Sequence, residues 1–190
     1  MKIKVILVGG YAPNHTPEKP AIGIGYRNLD GLFSQPYMFK EDLINFKKLT
    51  THNVIVMGRN TWEAIGNKPL PDRTNVVISR NPDFKAEGAK VFQSIEEAIT
   101  YFKGAEQIYF IGGTTLLEEL VKHYKVDEYI ITFVQEYMYY SDYSDGQLIT
   151  CRLFLDDYIK KSSKFFRGYN YIDNREHDCS IAHYIHKDSL

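Results

Sequence analysis

Five short apolar runs, at residues 3–8, 53–57, 75–79, 107–111 and 128–134, recur along the chain and are rich in Val and Ile. They are continuous rather than alternating, the pattern of strands buried on both faces. Such strands need cover on each side, and helical stretches lie between them. Residues 40–50 carry apolar side chains at 43, 46 and 49. Residues 95–103 follow Ser94, with Glu97 three positions on, a capping box, and residues 114–124 follow Gly112-Gly113. Strand and helix alternate, so the chain reads as an α/β fold built on a mostly parallel sheet. A chain of 190 residues, 44% of them hydrophobic, is expected to make one domain over residues 1–190.

The last third reads differently. Residues 162–167 and 180–186 look like strands with no helix separating them, and an antiparallel hairpin at one edge of the sheet is the simplest arrangement. Residues 11–37, rich in Pro, Gly and Asn, read as a long loop of the kind that serves as a lid, and residues 135–150 as a second long loop.

A net charge of −1 excludes a protein that works by neutralising nucleic-acid phosphates in bulk. Cys151 and Cys179 lack CxxC spacing and read as reduced thiols of a cytosolic protein. The first apolar run is too short for a leader and reads as a buried first strand, and no run is long enough for a membrane span. The six histidines show no metal-binding spacing, so no metal is expected.

Four constellations could carry chemistry. On a helix, Phe39, Asp42, Leu43, Phe46 and Leu49 share one face, so Asp42 is the one acid in an apolar stripe. An acid of the first turn, favoured by the helix dipole and partly exposed, accounts for it equally well. Ile111-Gly112-Gly113-Thr114-Thr115 joins a strand to a helix; it either lets a phosphate approach the backbone and the helix amides or is a tight turn. Gly58-Arg59-Asn60-Thr61-Trp62 and Ser79-Arg80 put arginines at the carboxyl ends of strands, where α/β sheets bind ligands. Each of these arginines, and Arg73, is otherwise a solvated surface residue.

Together, the stretches from Phe39 to Lys47, from Val54 to Gly66, from Leu70 to Arg80 and from Phe110 to Gly113 resemble the dihydrofolate reductase family, in its order and at its spacings. The resemblance implies an eight-stranded, mostly parallel sheet with a C-terminal antiparallel hairpin and about four flanking helices. It implies NADPH-dependent reduction of 7,8-dihydrofolate to tetrahydrofolate, supporting one-carbon metabolism and thymidylate synthesis. By resemblance, Asp42 holds the pterin, Thr132 supports its carboxylate, and Tyr37, standing where the family has tryptophan, can hold a water. Val8, Leu43, Phe46, Ile65, Leu70 and Ile111 line the substrate, and Arg73 pairs with its glutamate tail. Gly10, Ile24, Gly58, Arg59, Asn60, Thr61, Ser79, Arg80, Ile111, Thr114, Thr115 and Leu116 meet the cofactor, together with Gly112-Gly113, the family's cis Gly-Gly step.

Residues 11–35 are longer than in compact bacterial members, and Ala21-Ile22-Gly23-Ile24-Gly25 is similar to the long-loop reductases of large bacterial viruses. The resemblance implies a cytoplasmic monomer or weak homodimer that binds neither nucleic acid nor membrane. Two alternatives are a pyrimidine reductase of the riboflavin pathway, which would lack Asp42 and Phe46 paired with Arg73, and a virus-particle component that keeps the fold without turnover.

Overall fold

The computed structural model describes residues 1–13, 21–28, 33–138, 146–153 and 155–189. These residues form eleven strands and four α-helices, and the chain divides into two compact units: Met1–Ile6 with Lys47–Asp127, and Leu7–Phe46 with Glu128–Leu190.

The first unit carries the parallel strands. Their order is β1 (Lys2–Tyr11, through its first half), β7 (Gln107–Phe110), β4 (Val54–Gly58), β5 (Thr74–Ile78) and β6 (Lys90–Phe92), and every pairing is parallel. The continuous apolar runs fall here because both faces are covered: Val54, Ile55, Val56, Met57, Val76, Val77, Ile108, Tyr109 and Phe110 are all buried. Each such side chain stabilises the fold by about 1.5–3 kcal/mol. Helix α2 (Arg59–Ala64) leaves β4 directly. Helix α3 (Ile95–Tyr101) is capped by Ser94, whose hydroxyl accepts the Glu97 N–H at 3.1 Å, while the Glu97 carboxylate accepts from Gln93, one residue before the cap. Helix α4 (Thr114–His123) follows β7.

The second unit is antiparallel. Strands β10 (Tyr158–Asn170) and β11 (Arg175–His186) form a long hairpin, and β11 pairs with β8 (Glu128–Tyr137) from Cys179 opposite Val134 to Ile185 opposite Glu128. The second half of β1 pairs with β2 (Ala21–Asn28), and β2 pairs with β3 (Phe33–Ser34) and β9 (Gly146–Arg152). Helix α1 (Lys40–Thr50) starts in this unit.

The architecture is the mixed α/β one expected, with two corrections. Three strands, β2, β3 and β9, add to the expected eight, and the parallel pairings are confined to the first unit, so the strands are mixed rather than mostly parallel. The added strands come from the segments read as loops. The glycines read as part of a loop serve close packing within strands: a Cβ on Gly25 would lie 2.5 Å from the Phe33 ring, and one on Gly23 2.7 Å from the Met138 sulfur. Parts of both expected loops, residues 14–20, 29–32 and 139–145, lie outside the described residues. Cys151 and Cys179 are both buried thiols, not joined in a disulfide. Among the described residues no helix is long and apolar enough to cross a membrane.

Candidate active site

In the second unit the chemistry gathers where α1 begins. Asp42 sits in the first turn of α1, and the Thr132 hydroxyl, buried on β8, donates to its Oδ1 at 2.5 Å. Burial raises the Asp42 carboxyl above the ordinary carboxylate range, and the Thr132 bond offsets only part of that. A first-turn position favours the charged form, so desolvation is the stronger influence here. Of the apolar stripe, only Phe39 is fully buried; Leu43 is 48% exposed and Phe46 half-buried. A partly desolvated acid on a helix face that leaves apolar side chains open suits a flat ring ligand with polar edges.

Tyr37 is buried just before α1, and its hydroxyl donates to Glu136 Oε1 at 3.3 Å. Val8 packs against the cluster that holds Tyr37, Phe39, Val134 and Cys179. Gly10 pairs with Gly23, and Ile24 is buried at the irregularity of β2 against β9. The Cys179 thiol is pushed up to about 12 by burial and by the Asp42 and Glu136 carboxylates, so it stays a protonated thiol rather than a nucleophile.

In the first unit, the ends of β4 and β7 are stitched together by the Gly58 N–H on the Gly112 carbonyl and the Ile111 N–H on the Val56 carbonyl, each 2.9 Å. The Gly112–Gly113 peptide is cis. Gly112 has φ +126°, which side chains rarely adopt, and a Cβ there would lie 3.3 Å from the Thr61 hydroxyl oxygen. Gly113 caps α4 and Gly58 caps α2, neither with a side-chain hydrogen bond. This bare backbone with Thr61 beside it is a cradle suited to phosphate oxygens. Thr114 is half-buried, Thr115 exposed and Leu116 buried on the first turn of α4.

The arginines differ from one another. Arg59 pairs with Glu63 at 2.6 Å and lies over the Phe84 ring at 5.0 Å, while Asn60 is exposed. Arg80 is exposed next to buried Ser79, whose hydroxyl accepts the Asn81 N–H at 3.4 Å. Arg73 donates from Nε to the buried Thr50 hydroxyl at 3.0 Å and from Nη1 to the Pro71 carbonyl at 2.6 Å. Buried Asn75 brackets Leu70 with two bonds of 2.9 Å, fixing the turn that carries Arg73. Ile65, at the end of α2, is 36% exposed.

Sequence reading missed Thr50, Glu136, Asn170, Asp173 and His177. Glu136 carried a signal: on a strand it shares a face with Thr132 and Val134. The Arg59–Glu63 pair was visible in its four-residue spacing.

The family model described as "Dihydrofolate reductase" matches residues 23–145. The bifunctional dihydrofolate reductase-thymidylate synthase of Paramecium tetraurelia is 45% identical over 98 residues, 51% of this chain and 20% of that protein. The dihydrofolate reductase of Mycobacterium leprae is 48% identical over 80 residues, 41% of this chain and 48% of that protein. The aligned stretch thus spans less than half the length of each of these two relatives. Among solved structures, the dihydrofolate reductase from Enterococcus faecalis complexed with NADP(H) and RAB-propyl matches with a TM-score of 0.71 and 25% identity, over 98% of this chain and 97% of that one.

Proposed function

The chain belongs to the dihydrofolate reductase family, and from that premise we propose that it reduces 7,8-dihydrofolate to 5,6,7,8-tetrahydrofolate with NADPH. The observation that carries the proposal is the Asp42–Thr132 pair: a carboxyl held above its usual range at the head of a helix that leaves Leu43 and Phe46 open. Asp42 takes the polar edge of the pterin ring, and its charge favours the ring protonated at N5. The family resemblance assigns apolar contacts with the substrate to Leu43, Phe46 and Val8 and to Ile65, Leu70 and Ile111, and the glutamate carboxylate to Arg73. Tyr37 holds a water through its hydroxyl.

NADPH, when bound, supplies the hydride for pterin C6. The chain's contribution is alignment and exclusion of water. Gly58, Thr61, Gly112, Gly113 and the first turn of α4 would hold the pyrophosphate, on the backbone cradle described above. Gly10, Ile24, Asn60, Thr114, Thr115 and Leu116 complete the expected contacts. Residues 1–190 work in this reading as one reductase domain, in a cytoplasmic monomer or weak homodimer. The virus-particle alternative draws no support from the relatives found. The direct test is an assay of NADPH oxidation with dihydrofolate; absence of turnover with both present defeats the proposal.

Two further outcomes follow from the cofactor residues. Arg80 and Arg59 are assigned the 2′-phosphate, which guanidinium groups bind with charge-assisted bonds. Arg59 is already paired with Glu63, so Arg80 carries the larger share. Arg80→Ala should erode the preference for NADPH over NADH by about 10-fold or more, and the double change with Arg59→Ala further. Steady-state kinetics with the two cofactors measure this, and equal use of NADH by the unmodified protein removes the assignment. Trp62, the only tryptophan, is buried directly behind Thr61 in α2. NADPH binding should quench its emission and sensitise nicotinamide fluorescence; emission unchanged at saturation places the cofactor elsewhere.

A further inference from the structure

His177, on β11 in the second unit, is held by carboxylates on both ring nitrogens: Nδ1 lies 2.7 Å from Glu136 Oε1 and Nε2 lies 2.8 Å from Asp173 Oδ2, with the side chain only 6% exposed. Carboxylates accept and do not donate, so satisfying both at once takes the doubly protonated ring. A lone buried cation would be costly, and two flanking acids with direct hydrogen bonds are the arrangement that permits one. Asp173 is anchored further by the Arg175 N–H at 3.0 Å and the Arg175 guanidinium at 3.4 Å. Burial alone would raise the Asp173 carboxyl, but the Arg175 N–H and the His177 ring outweigh it and hold it below its usual range.

The same Glu136 oxygen that meets His177 accepts from the Tyr37 hydroxyl. The His177 ring also packs edge-on against Tyr37 and Phe39, at 6.0 and 5.8 Å between centroids. The Tyr37 hydroxyl in turn lies over Gly10: a Cβ built there would sit 2.8 Å from it. A separate device holds the main chain on either side of Tyr37. Buried Asn170 donates to the Pro36 carbonyl and accepts from the Met38 N–H, both at 2.9 Å. With the backbone so fixed, the hydroxyl end is what Glu136 and His177 add.

We propose that His177 is a positioning residue for the reaction: gripped by Asp173 and Glu136, its imidazolium fixes the Glu136 carboxylate and, through it, the direction of the Tyr37 hydroxyl. The proposal rests on the reductase reading and adds to it a role for the tip of the β10–β11 hairpin. At Tyr37 the hydroxyl orients the water it holds, and a loose Glu136 would let it turn. The groups facing His177 are Asp173 from the hairpin turn, with Arg175 behind it, Glu136 from β8, Tyr37 and Phe39 from the segment before α1, and Cys179, whose thiol donates to the His177 carbonyl.

The test is a double-mutant cycle read by single-turnover hydride transfer at neutral pH, alongside binding titrations, in the full chain with NADPH and dihydrofolate. Glutamine carries both its donors on one amide nitrogen and cannot reach acids on opposite sides, so His177→Gln should slow hydride transfer roughly tenfold at neutral pH with substrate and cofactor affinity unchanged. In a Tyr37→Phe background His177→Gln should cost nothing more, since the two act through one hydroxyl. Asp173→Asn, at a part-exposed side chain, keeps the ring in place and should give a smaller loss that also vanishes in Tyr37→Phe. Losses that multiply, or a loss that falls on substrate or cofactor affinity instead of the hydride step, overturn the positioning role while leaving the reductase reading intact. No turnover by the wild-type protein overturns that reading and, with it, the catalytic role of the grip.

Discussion

Replacing Asp42 with Asn should lower hydride transfer at neutral pH by about 10²–10⁴-fold, the range for lost acid–base assistance. Asn keeps the shape and can still accept from Thr132 Oγ1, so the helix start is preserved. What disappears is the charge that favours a protonated pterin. The loss should shrink as pH falls and substrate becomes protonated in solution, while NADPH affinity barely moves. Near-normal turnover at neutral pH, or a folded, substrate-binding variant that never recovers in acid, rules the assignment out. The same substitution has an expected effect on stability. Burial raises the folded Asp42 carboxyl above its unfolded value. Its contribution to stability is therefore fully present below the unfolded pKa and is lost as pH rises through the folded pKa. Asn does not titrate, so the variant should melt higher than the wild type at neutral pH, and the gap should close in acid. A variant that melts lower at neutral pH would show that Asp42 is not desolvated in the folded chain.

Arg73→Leu should weaken dihydrofolate binding by about 30–1000-fold, corresponding to about 2–4 kcal/mol for a charge-assisted pair. The guanidinium is already oriented by Thr50 and the Pro71 carbonyl, and its turn is held by Asn75, so little ordering remains to be done on binding. A pterin fragment lacking the glutamate tail should lose almost nothing. Binding titrations of both ligands to both proteins decide this, and equal losses would make Arg73 a purely structural arginine that ties its turn to Thr50.

Much of this protein is legible before it folds. The Val- and Ile-rich runs became β4, β5, β7 and β8, and the helical spacing from residue 40 to 50 became α1. Both signals are local, set by pleat and helical period. The added strands were hidden because Gly23 and Gly25 read as loop residues until Met138 and Phe33 occupy the space their missing side chains leave. Asp42 stood out by type and position, yet helix periodicity could not say whether it was a solvated first-turn acid or a desolvated one.

The sequence by itself determined the helices, the strands of the apolar runs and their order, and it marked Asp42, Arg73 and Gly112-Gly113 as carriers of chemistry. Only the tertiary structure decided what state those side chains are in. Asp42 meets Thr132 from 90 residues away, and Tyr37 meets Glu136 from 99. His177 stands among the charged residues Arg175, Glu176 and Asp178, yet it is buried on two acids, one from its own hairpin turn and one from β8. The physical reason is that a group's charge and orientation depend on how much water is excluded and on which donors converge on it. Those are properties of surfaces assembled from remote segments, and no local spacing encodes them.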